Sequence, residues 1–222
     1  MPAVTPSPTA DSLTAVRRRM PTQARSRERV DRILEAASRI VVEHGIDALT
    51  TRSIAAAADV PVASLYQYFS DRDAILLALV ERDTAEMDDQ VATDLAALAA
   101  LSVDALVETT MRAYTKVYAR RPDFVQIWLR GRTNAAVHDF GRQHNRRTAQ
   151  QLRDFAIDAG LARDDLPLAA AELAVEIGDR VFQLAYETDG GGDTFLIDQG
   201  IAMVTAYLRE FATPAGIDGI PV

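Results

Sequence analysis

The sequence predicts an all-α protein of about nine helices, with a small N-terminal helical domain followed by a larger C-terminal one. From Ser26 onward, isoleucine, valine and leucine recur three and four residues apart, and the alternation typical of strands is nearly absent. Proline and glycine interrupt this pattern where helices can end. The chain has 222 residues, of which 48% are hydrophobic, and this is enough apolar material to bury a core.

Composition excludes several classes of protein. The chain has no cysteine, so we expect no disulfide, no thiolate metal site and no catalytic thiol. No apolar run approaches the ~18 residues that cross a membrane, and residues 1–16 lack the apolar segment of a signal peptide. We therefore expect a soluble, cytoplasmic protein with no membrane partner.

Charge is distributed unevenly along the chain, whose net charge is −8. Residues 1–82 hold 11 arginines against 10 acidic residues, whereas residues 83–222 hold 13 basic and 22 acidic residues. Seven of the arginines lie between Arg17 and Arg32. This asymmetry predicts that the N-terminal end faces a polyanion.

The N-terminal part is predicted to be an arm followed by a compact helical domain. Residues 1–24 contain prolines, serines and threonines, so we expect a disordered, arginine-containing arm. Residues 25–70 form the predicted helical domain, whose first helix runs from about Ser26 to His44 and ends at Gly45. The next predicted helices are Thr51–Ala58, Pro61–Phe69 and a long helix, capped by Ser70 or Asp71, that continues to about Leu98.

The C-terminal part, residues 71–212, is predicted to be a helical bundle. The end of each helix follows from a proline or a glycine, such as Pro122 and Gly160. The predicted helices after the long one are Val103–Arg120, Asp123–Arg130, Asn134–Ala159, Asp165–Thr188 and Thr194–Phe211. Residues 213–222 are expected to be a frayed tail.

The segment Thr50–Phe69 has the size of a helix-turn-helix, in which two short helices meet at a tight turn. The turn is the string Ala58-Asp59-Val60-Pro61, and Leu65 is the predicted inward residue of the second helix. The second helix of such a motif enters the major groove of DNA. Its predicted outward residues are Val62, Ala63, Ser64, Tyr66, Gln67 and Tyr68. Small apolar groups can contact thymine methyls, Gln67 can read adenine, and hydroxyls can bind phosphate.

The motif resembles a known family. The strings Thr50-Thr51-Arg52-Ser53-Ile54-Ala55 and Ser64-Leu65-Tyr66-Gln67-Tyr68-Phe69, followed by Ser70-Asp71-Arg72-Asp73-Ala74-Ile75-Leu76, are similar to the tetracycline-repressor (TetR) family of bacterial transcription regulators. The similarity runs from about Arg27 to Val80. It departs from the family at Asp59, where glycine is usual, although aspartate tolerates a left-handed backbone better than most residues.

The resemblance implies roles for individual residues. Arg52 is expected to read a base, commonly guanine. Thr51, Ser64 and Tyr66 are expected to bind phosphate, whereas Val62 and Ala63 lie against base edges. Arg72 stands where the family has a lysine that grips phosphate.

The resemblance also implies a homodimer that binds a palindromic operator and is released by a small molecule, most often as a repressor. The expected dimer residues are Leu173, Ile177, Val181, Leu184, Ile201, Val204 and Leu208. The expected residues of the effector pocket are Met111, Tyr114, Phe124, Trp128 and Phe140. The fourth helix joins both domains and is the expected lever between ligand and DNA.

Several alternatives stay open at this point. The arginines Arg17, Arg18, Arg19 and Arg25 can enter the adjacent minor groove or form a solvated tail. A helical enzyme with a fortuitous helix-turn-helix needs a catalytic constellation, and the sequence offers none. We accordingly expect no catalytic residue and no cofactor. We also expect no metal site, because His138 and His144 are six residues apart. A non-specific DNA-coating protein needs a broadly basic surface, which a net charge of −8 disfavours.

Overall fold

The computed structural model describes residues 10–130, 135–188 and 190–221, with side chains from Ala24 onward. Within these ranges the fold is all-α, apart from one two-residue strand pair, so the predicted fold class is confirmed. The helices are α1 Ala10–His44, α2 Thr51–Ala57, α3 Val62–Leu65, α4 Arg72–Ala96, α5 Val103–Arg120, α6 Pro122–Phe124, α7 Ala135–Asp158, α8 Leu168–Ala185, α9 Thr194–Arg209 and α10 Pro214–Asp218.

The first helix is longer than predicted. It begins at Ala10 rather than near Ser26, and the disordered arm over residues 1–24 stays a prediction. Residues 10–24 include three alanines and three arginines, which favour helix, beside the single Pro21. Residues 1–9 and the side chains of Arg17, Arg18 and Arg19 lie outside the described part of the chain.

Helices α1 to α3 and the start of α4 share one apolar core. On α1, Ile33, Ala37 and Val41 are fully buried, as the helical spacing predicts. Leu65 of α3 and Ile75 of α4 are buried against the same core. A 3₁₀ turn at Ile46–Ala48 connects α1 to α2.

The C-terminal bundle consists of α4, α5 and α7 to α9. Antiparallel neighbours follow one another along the chain, with α4 packed on α5, α7 on α8, and α8 on α9. Helices α8 and α9 approach closely at Gly200, where an added Cβ would lie 2.5 Å from Val181 Cγ1. Gly141 likewise gives space on α7 to the ring of Trp128.

The segment predicted as one short helix, Asp123–Arg130, is irregular. A single turn, α6, leads into a π-helical stretch over Val125–Arg130. The Nε of Arg130 donates to the carbonyl of Tyr186 at 2.5 Å, which ties the end of this stretch to the end of α8. The wider turn aims Phe124 and Trp128 into the bundle, where both line its cavity.

The C-terminal tail is docked, which corrects the expectation that residues 213–222 are frayed. Thr213 caps α10 by accepting from the Gly216 amide at 2.9 Å. Gly216 lies so close to the Leu161 carbonyl that any side chain would collide with it. Ile220–Pro221 pairs antiparallel with Ala100–Leu101, and these hydrogen bonds hold the tail on the bundle.

Candidate nucleic-acid interface and interior cavity

Helix α2 is fixed at its first turn by a reciprocal pair of hydrogen bonds. Thr50 Oγ1 accepts from the Ser53 amide at 3.0 Å, and Ser53 Oγ accepts from the Thr50 amide at 2.9 Å. This arrangement satisfies two donors that a helix start otherwise leaves free. Arg52, which lies between these two capping residues, is exposed, so its side chain is available to a partner.

The turn between α2 and α3 depends on Asp59. Its φ of 52° is the single positive value for a non-glycine residue in the described ranges. The Val60 amide then reaches back to the Ala55 carbonyl at 3.0 Å. Aspartate at the position of a usual glycine therefore keeps the turn, as the sequence predicted.

Helix α3 is shorter than predicted, because only Val62–Leu65 is α-helical. The chain continues in tighter turns, in which the Tyr68 amide donates to the Leu65 carbonyl at 3.0 Å. Leu65 is buried, as predicted, and Phe69 is buried beside it in the same core. The outward residues are Val62, Ala63, Tyr66 and Gln67, whereas Ser64 and Tyr68 are half-buried. Tyr68 packs against the core, which limits its use as a contact.

Two of the residues expected at phosphate contact each other. The hydroxyls of Thr51 on α2 and Tyr66 after α3 are 3.2 Å apart, and Tyr66 is 53% exposed. The pair brings one hydroxyl from each helix to the same point on the surface. Two hydroxyls at one point can together bind a phosphate oxygen.

Arg72 is turned inward rather than out to solvent. Its Nη2 donates to the Ile46 carbonyl at 2.7 Å, and its Nε is buried with no hydrogen-bond partner among the described residues. The side chain therefore ties the start of α4 to the 3₁₀ turn after α1. The predicted phosphate contact of Arg72 stays a prediction. Arg25, in contrast, is exposed on α1.

A charged cluster joins α1, α4 and α6 where the two domains meet. Arg82 on α4 donates to Glu35 at 3.1 Å, to Asp83 at 2.8 Å and to Asp123 at 3.4 Å. Asp83 is completely buried, and its burial raises its pKa to about 6 although Arg82 acts in the opposite direction. Arg121 adds an ion pair to the cluster, 3.7 Å from Asp83.

An interior cavity of about 120 Å³ lies within the C-terminal bundle, between α4, α5, α7, α8 and α9. Its wall is mainly apolar. Four of the five residues expected at an effector pocket line it, namely Met111, Tyr114, Phe124 and Trp128. Phe140 is not in the wall, because its ring stacks on His144 with centroids 6.0 Å apart, and His144 forms the wall there.

Sequence reasoning missed the polar residues of the cavity. Asp179 accepts from Trp128 Nε1 at 3.1 Å and from Gln183 Nε2 at 2.8 Å, and burial raises its pKa. Thr110 and His144 also line the wall. The signal was the spacing of Thr110, Tyr114 and Tyr118, which places all three on one face of α5.

The outward surface of α8 and α9 differs from the predicted dimer set. Leu173 and Leu184 are exposed as expected, and Ile177, Val181 and Ile201 are partly buried. Val204 is only 6% exposed and, like Leu208, lines the cavity, whereas the assignment of these two residues to a dimer surface stays a prediction. Phe195 and Met203, which the sequence analysis did not select, are 66% and 61% exposed.

The remaining sequence expectations concern absences. The described residues contain no group of three or more His, Asp or Glu side chains that could hold a metal ion. In the same ranges, no helix combines the length and apolar character needed to cross a membrane.

Two family descriptions match the chain. Residues 33–79 match the description "Bacterial regulatory proteins, tetR family", and residues 102–208 match "Tetracyclin repressor-like, C-terminal domain". Together the two segments cover well over half of the chain. The first coincides with the helix-turn-helix and the start of α4, and the second begins just before α5.

Individual proteins agree with these matches. The HTH-type transcriptional repressor AcnR of Corynebacterium diphtheriae is 25% identical over 187 residues, which are 80% of this chain and 90% of that protein. The HTH-type transcriptional repressor KstR of Mycolicibacterium smegmatis is 40% identical over 73 residues, covering 33% of this chain and 35% of that one. A TetR-family regulator from Streptomyces coelicolor superposes with a TM-score of 0.67 at 28% identity, covering 82% of this chain and 99% of that one.

Proposed function

We propose that this chain, which belongs to the TetR family of DNA-binding transcription regulators, is a repressor that binds a palindromic operator as a homodimer and leaves it when a small molecule enters the interior cavity. The observation that carries the proposal is the surface formed by α2 and α3. It offers an exposed arginine, a hydroxyl pair and small apolar groups on a helix of the right kind to enter the major groove. The names of the two relatives, both repressors, support repression over activation.

DNA recognition requires contacts of two kinds. Arg52 can donate to a guanine edge, while Val62 and Ala63 can lie against thymine methyls. Thr51 and Tyr66 can hold a phosphate and so fix the register of α3 in the groove. A sequence-reading surface of this composition favours specific over non-specific binding.

A dimer follows from the outward surface of α8 and α9. Leu173, Leu184, Phe195 and Met203 are large apolar side chains exposed on neighbouring helices of a single chain. Packed against its own copy, the pair forms a four-helix seam that hides these side chains. Sedimentation at micromolar concentration is expected to give a dimer, and a monomer would refute this assignment.

The link between cavity and DNA is α4. At its start, Asp71 caps the helix and Arg72 holds it to the DNA-binding domain. About 18 Å further along, at the helical rise of 1.5 Å per residue, Thr84 begins to line the cavity, followed by Met87. A ligand that prefers one position of α4 therefore shifts the spacing of the two α3 helices, which must match about 34–36 Å or a multiple of it.

The decisive experiment is fluorescence anisotropy of the full chain with DNA that flanks its own gene. Specific binding is expected to survive an excess of a scrambled duplex and to protect a palindrome from nuclease. Equal affinity for scrambled DNA would favour the non-specific alternative. The proposal includes no catalysis, and a DNA partner is consistent with a cytoplasmic protein.

A further inference from the structure

The cavity wall contains hydrogen-bonding atoms that the protein itself does not satisfy. Thr110 Oγ1 on α5 and His144 Nε2 on α7 have no hydrogen-bond partner among the described residues. Thr110 is 9% exposed and His144 6%, and both line the cavity. An unpaired buried polar atom costs about 1–3 kcal/mol, a cost that a ligand oxygen at that point removes. The wall thus offers two hydrogen-bonding atoms to a ligand with oxygen groups.

The charges around these atoms disfavour an anionic ligand. His144 Nε2 lies 3.8 Å from an oxygen of Asp88, and Arg147 on the same helix is exposed. Burial lowers the pKa of His144 even though Asp88 opposes this shift, so the imidazole is neutral at physiological pH. Arg153 also lines the cavity, but its Nη1 pairs with Asp154 at 2.8 Å and its Nε donates to the Leu166 carbonyl at 2.7 Å. A ligand carboxylate therefore finds no cation in the described wall that is not already paired.

A cationic ligand is disfavoured for a different reason. The carboxylate that lines the cavity, Asp179, already accepts from Trp128 and Gln183. Its burial raises its pKa, so its ionised form is already disfavoured. An ammonium group would lose its hydration in an apolar wall without gaining an uncommitted partner.

The wall is long and its two ends differ. On α5 it extends from Val103 to Tyr118, which is about 22 Å at the helical rise of 1.5 Å per residue. Aliphatic side chains such as Val103 and Leu166 form one end, whereas Tyr118, Phe124 and Trp128 form the other. A wall of this length suits an extended molecule.

We propose, as a refinement that rests on the proposed function, that the effector is an elongated, uncharged and mainly apolar molecule whose hydroxyl or carbonyl oxygens hydrogen-bond Thr110 and His144. Anions and ammonium compounds of the same length are then poor ligands. The oxygens provide selectivity, while the apolar wall provides most of the affinity.

A series of three ten-carbon compounds tests the head group. 1-Decanol, decanoate and decylamine differ in charge but share one chain, and their binding to the full chain without DNA is measured by titration calorimetry. Decanol is expected to bind at least about tenfold more tightly than either charged compound, a difference of about 1.4 kcal/mol. Failure of decanol to bind, or equal or tighter binding of a charged compound, overturns the proposal.

Two substitutions test the assigned residues. Thr110→Val keeps the shape of the side chain and His144→Phe keeps a ring, and each is expected to weaken decanol about three- to tenfold. Thr109→Val is the matched control, because Thr109 precedes Thr110 on α5 and does not line the cavity. Thermal unfolding of each variant verifies its fold. Unchanged decanol affinity in Thr110→Val and His144→Phe overturns the assignment.

The refinement and the proposed function fail in different ways. Operator binding without any ligand tests the function alone, and decanol binding without DNA tests the refinement alone. Specific operator binding with no decanol binding removes the refinement and keeps the regulator. Decanol binding without specific operator binding keeps the ligand class assigned to the cavity and removes the proposed regulator.

Discussion

The two ends of α4 lie in different surroundings. In its first three turns, Ile75, Leu79 and Val80 are buried in the apolar core that α4 shares with α1. Further along the helix, Thr84 and Met87 border the interior cavity. A densely packed end moves as one body with α3, whereas an end beside a cavity can take more than one position at low cost. The protein thus combines a rigid reading surface with a region that can respond to a ligand.

Two adjacent residues of α9, one beside the cavity and one on the surface, are expected to respond most differently to the same substitution. Val204 faces the cavity and Met203 faces solvent. Val204→Asp is expected to lower the free energy of unfolding by at least about 3 kcal/mol, because it buries an unpaired charge. Met203→Asp is expected to leave the single chain folded, to prevent dimer formation and to weaken operator binding by about 100-fold or more.

Circular dichroism melting and sedimentation velocity separate the two outcomes. Val204→Asp loses cooperative melting, whereas Met203→Asp melts cooperatively as a monomer. A Met203→Asp protein that still sediments as a dimer would show that the seam lies elsewhere.

The charged cluster between the domains gives a pH-dependent test. Burial raises the pKa of Asp83 from 3.8 to about 6, so the folded state holds this proton more tightly than the unfolded chain. The stabilisation from Asp83 is complete below pH 3.8 and is lost as the pH rises through about 6. Relative to Asp83→Asn, the wild type is expected to lose up to about 3 kcal/mol between pH 4 and 7 in urea unfolding.

The control for this experiment is Asp104→Asn, which removes an exposed carboxylate paired with Arg209. The free energy of unfolding of this variant is expected to differ little from that of the wild type, because the pair is exposed to solvent. If the stability of Asp83→Asn runs parallel to that of the wild type across the range from pH 4 to 7, the buried carboxylate does not titrate as its surroundings imply.

The reading surface is tested by Arg52→Ala. Loss of a base contact is expected to cost about 1–3 kcal/mol on the operator and to relax the preference at one base pair. Arg142→Ala, on an exposed part of α7, is the matched loss of one positive charge. A binding-site selection assay that gives the same sequence profile for Arg52→Ala and wild type would contradict base reading.

The smallest expected effect belongs to the hydroxyl pair. Tyr66→Phe removes the group that lies 3.2 Å from Thr51 Oγ1. Folding stability is expected to change by less than about 1 kcal/mol, while operator affinity at constant salt falls by about two- to tenfold if the hydroxyl binds a phosphate oxygen. Unaltered operator affinity would limit Tyr66 to a structural role.

The turns and inward residues of the helix-turn-helix were largely predictable because short-range chemistry determines them. The turn residues Asp59 and Pro61, the inward Leu65 and the cap at Asp71 all act within a few positions of themselves. Arg72 is the exception, because its hydrogen bond to Ile46 crosses 26 positions and its place in the motif suggested phosphate instead.

The cavity and the dimer surface were predicted only in part, since both depend on how long helices rotate against each other. Val204 and Met203 are neighbours with similar apolar character, and the sequence alone does not say which faces inward. The docked tail was missed for the same reason, because Gly216 finds its partner, Leu161, more than fifty positions away.

The position of Trp128 has a practical consequence. It is the single tryptophan of the chain, and its indole lines the cavity while donating to Asp179. Light absorbed at the red edge of the aromatic band is therefore emitted from the cavity wall alone. The protein thus carries its own fluorophore in the wall of the cavity proposed to hold the effector, so the emission wavelength and lifetime of Trp128 can report binding without an attached dye.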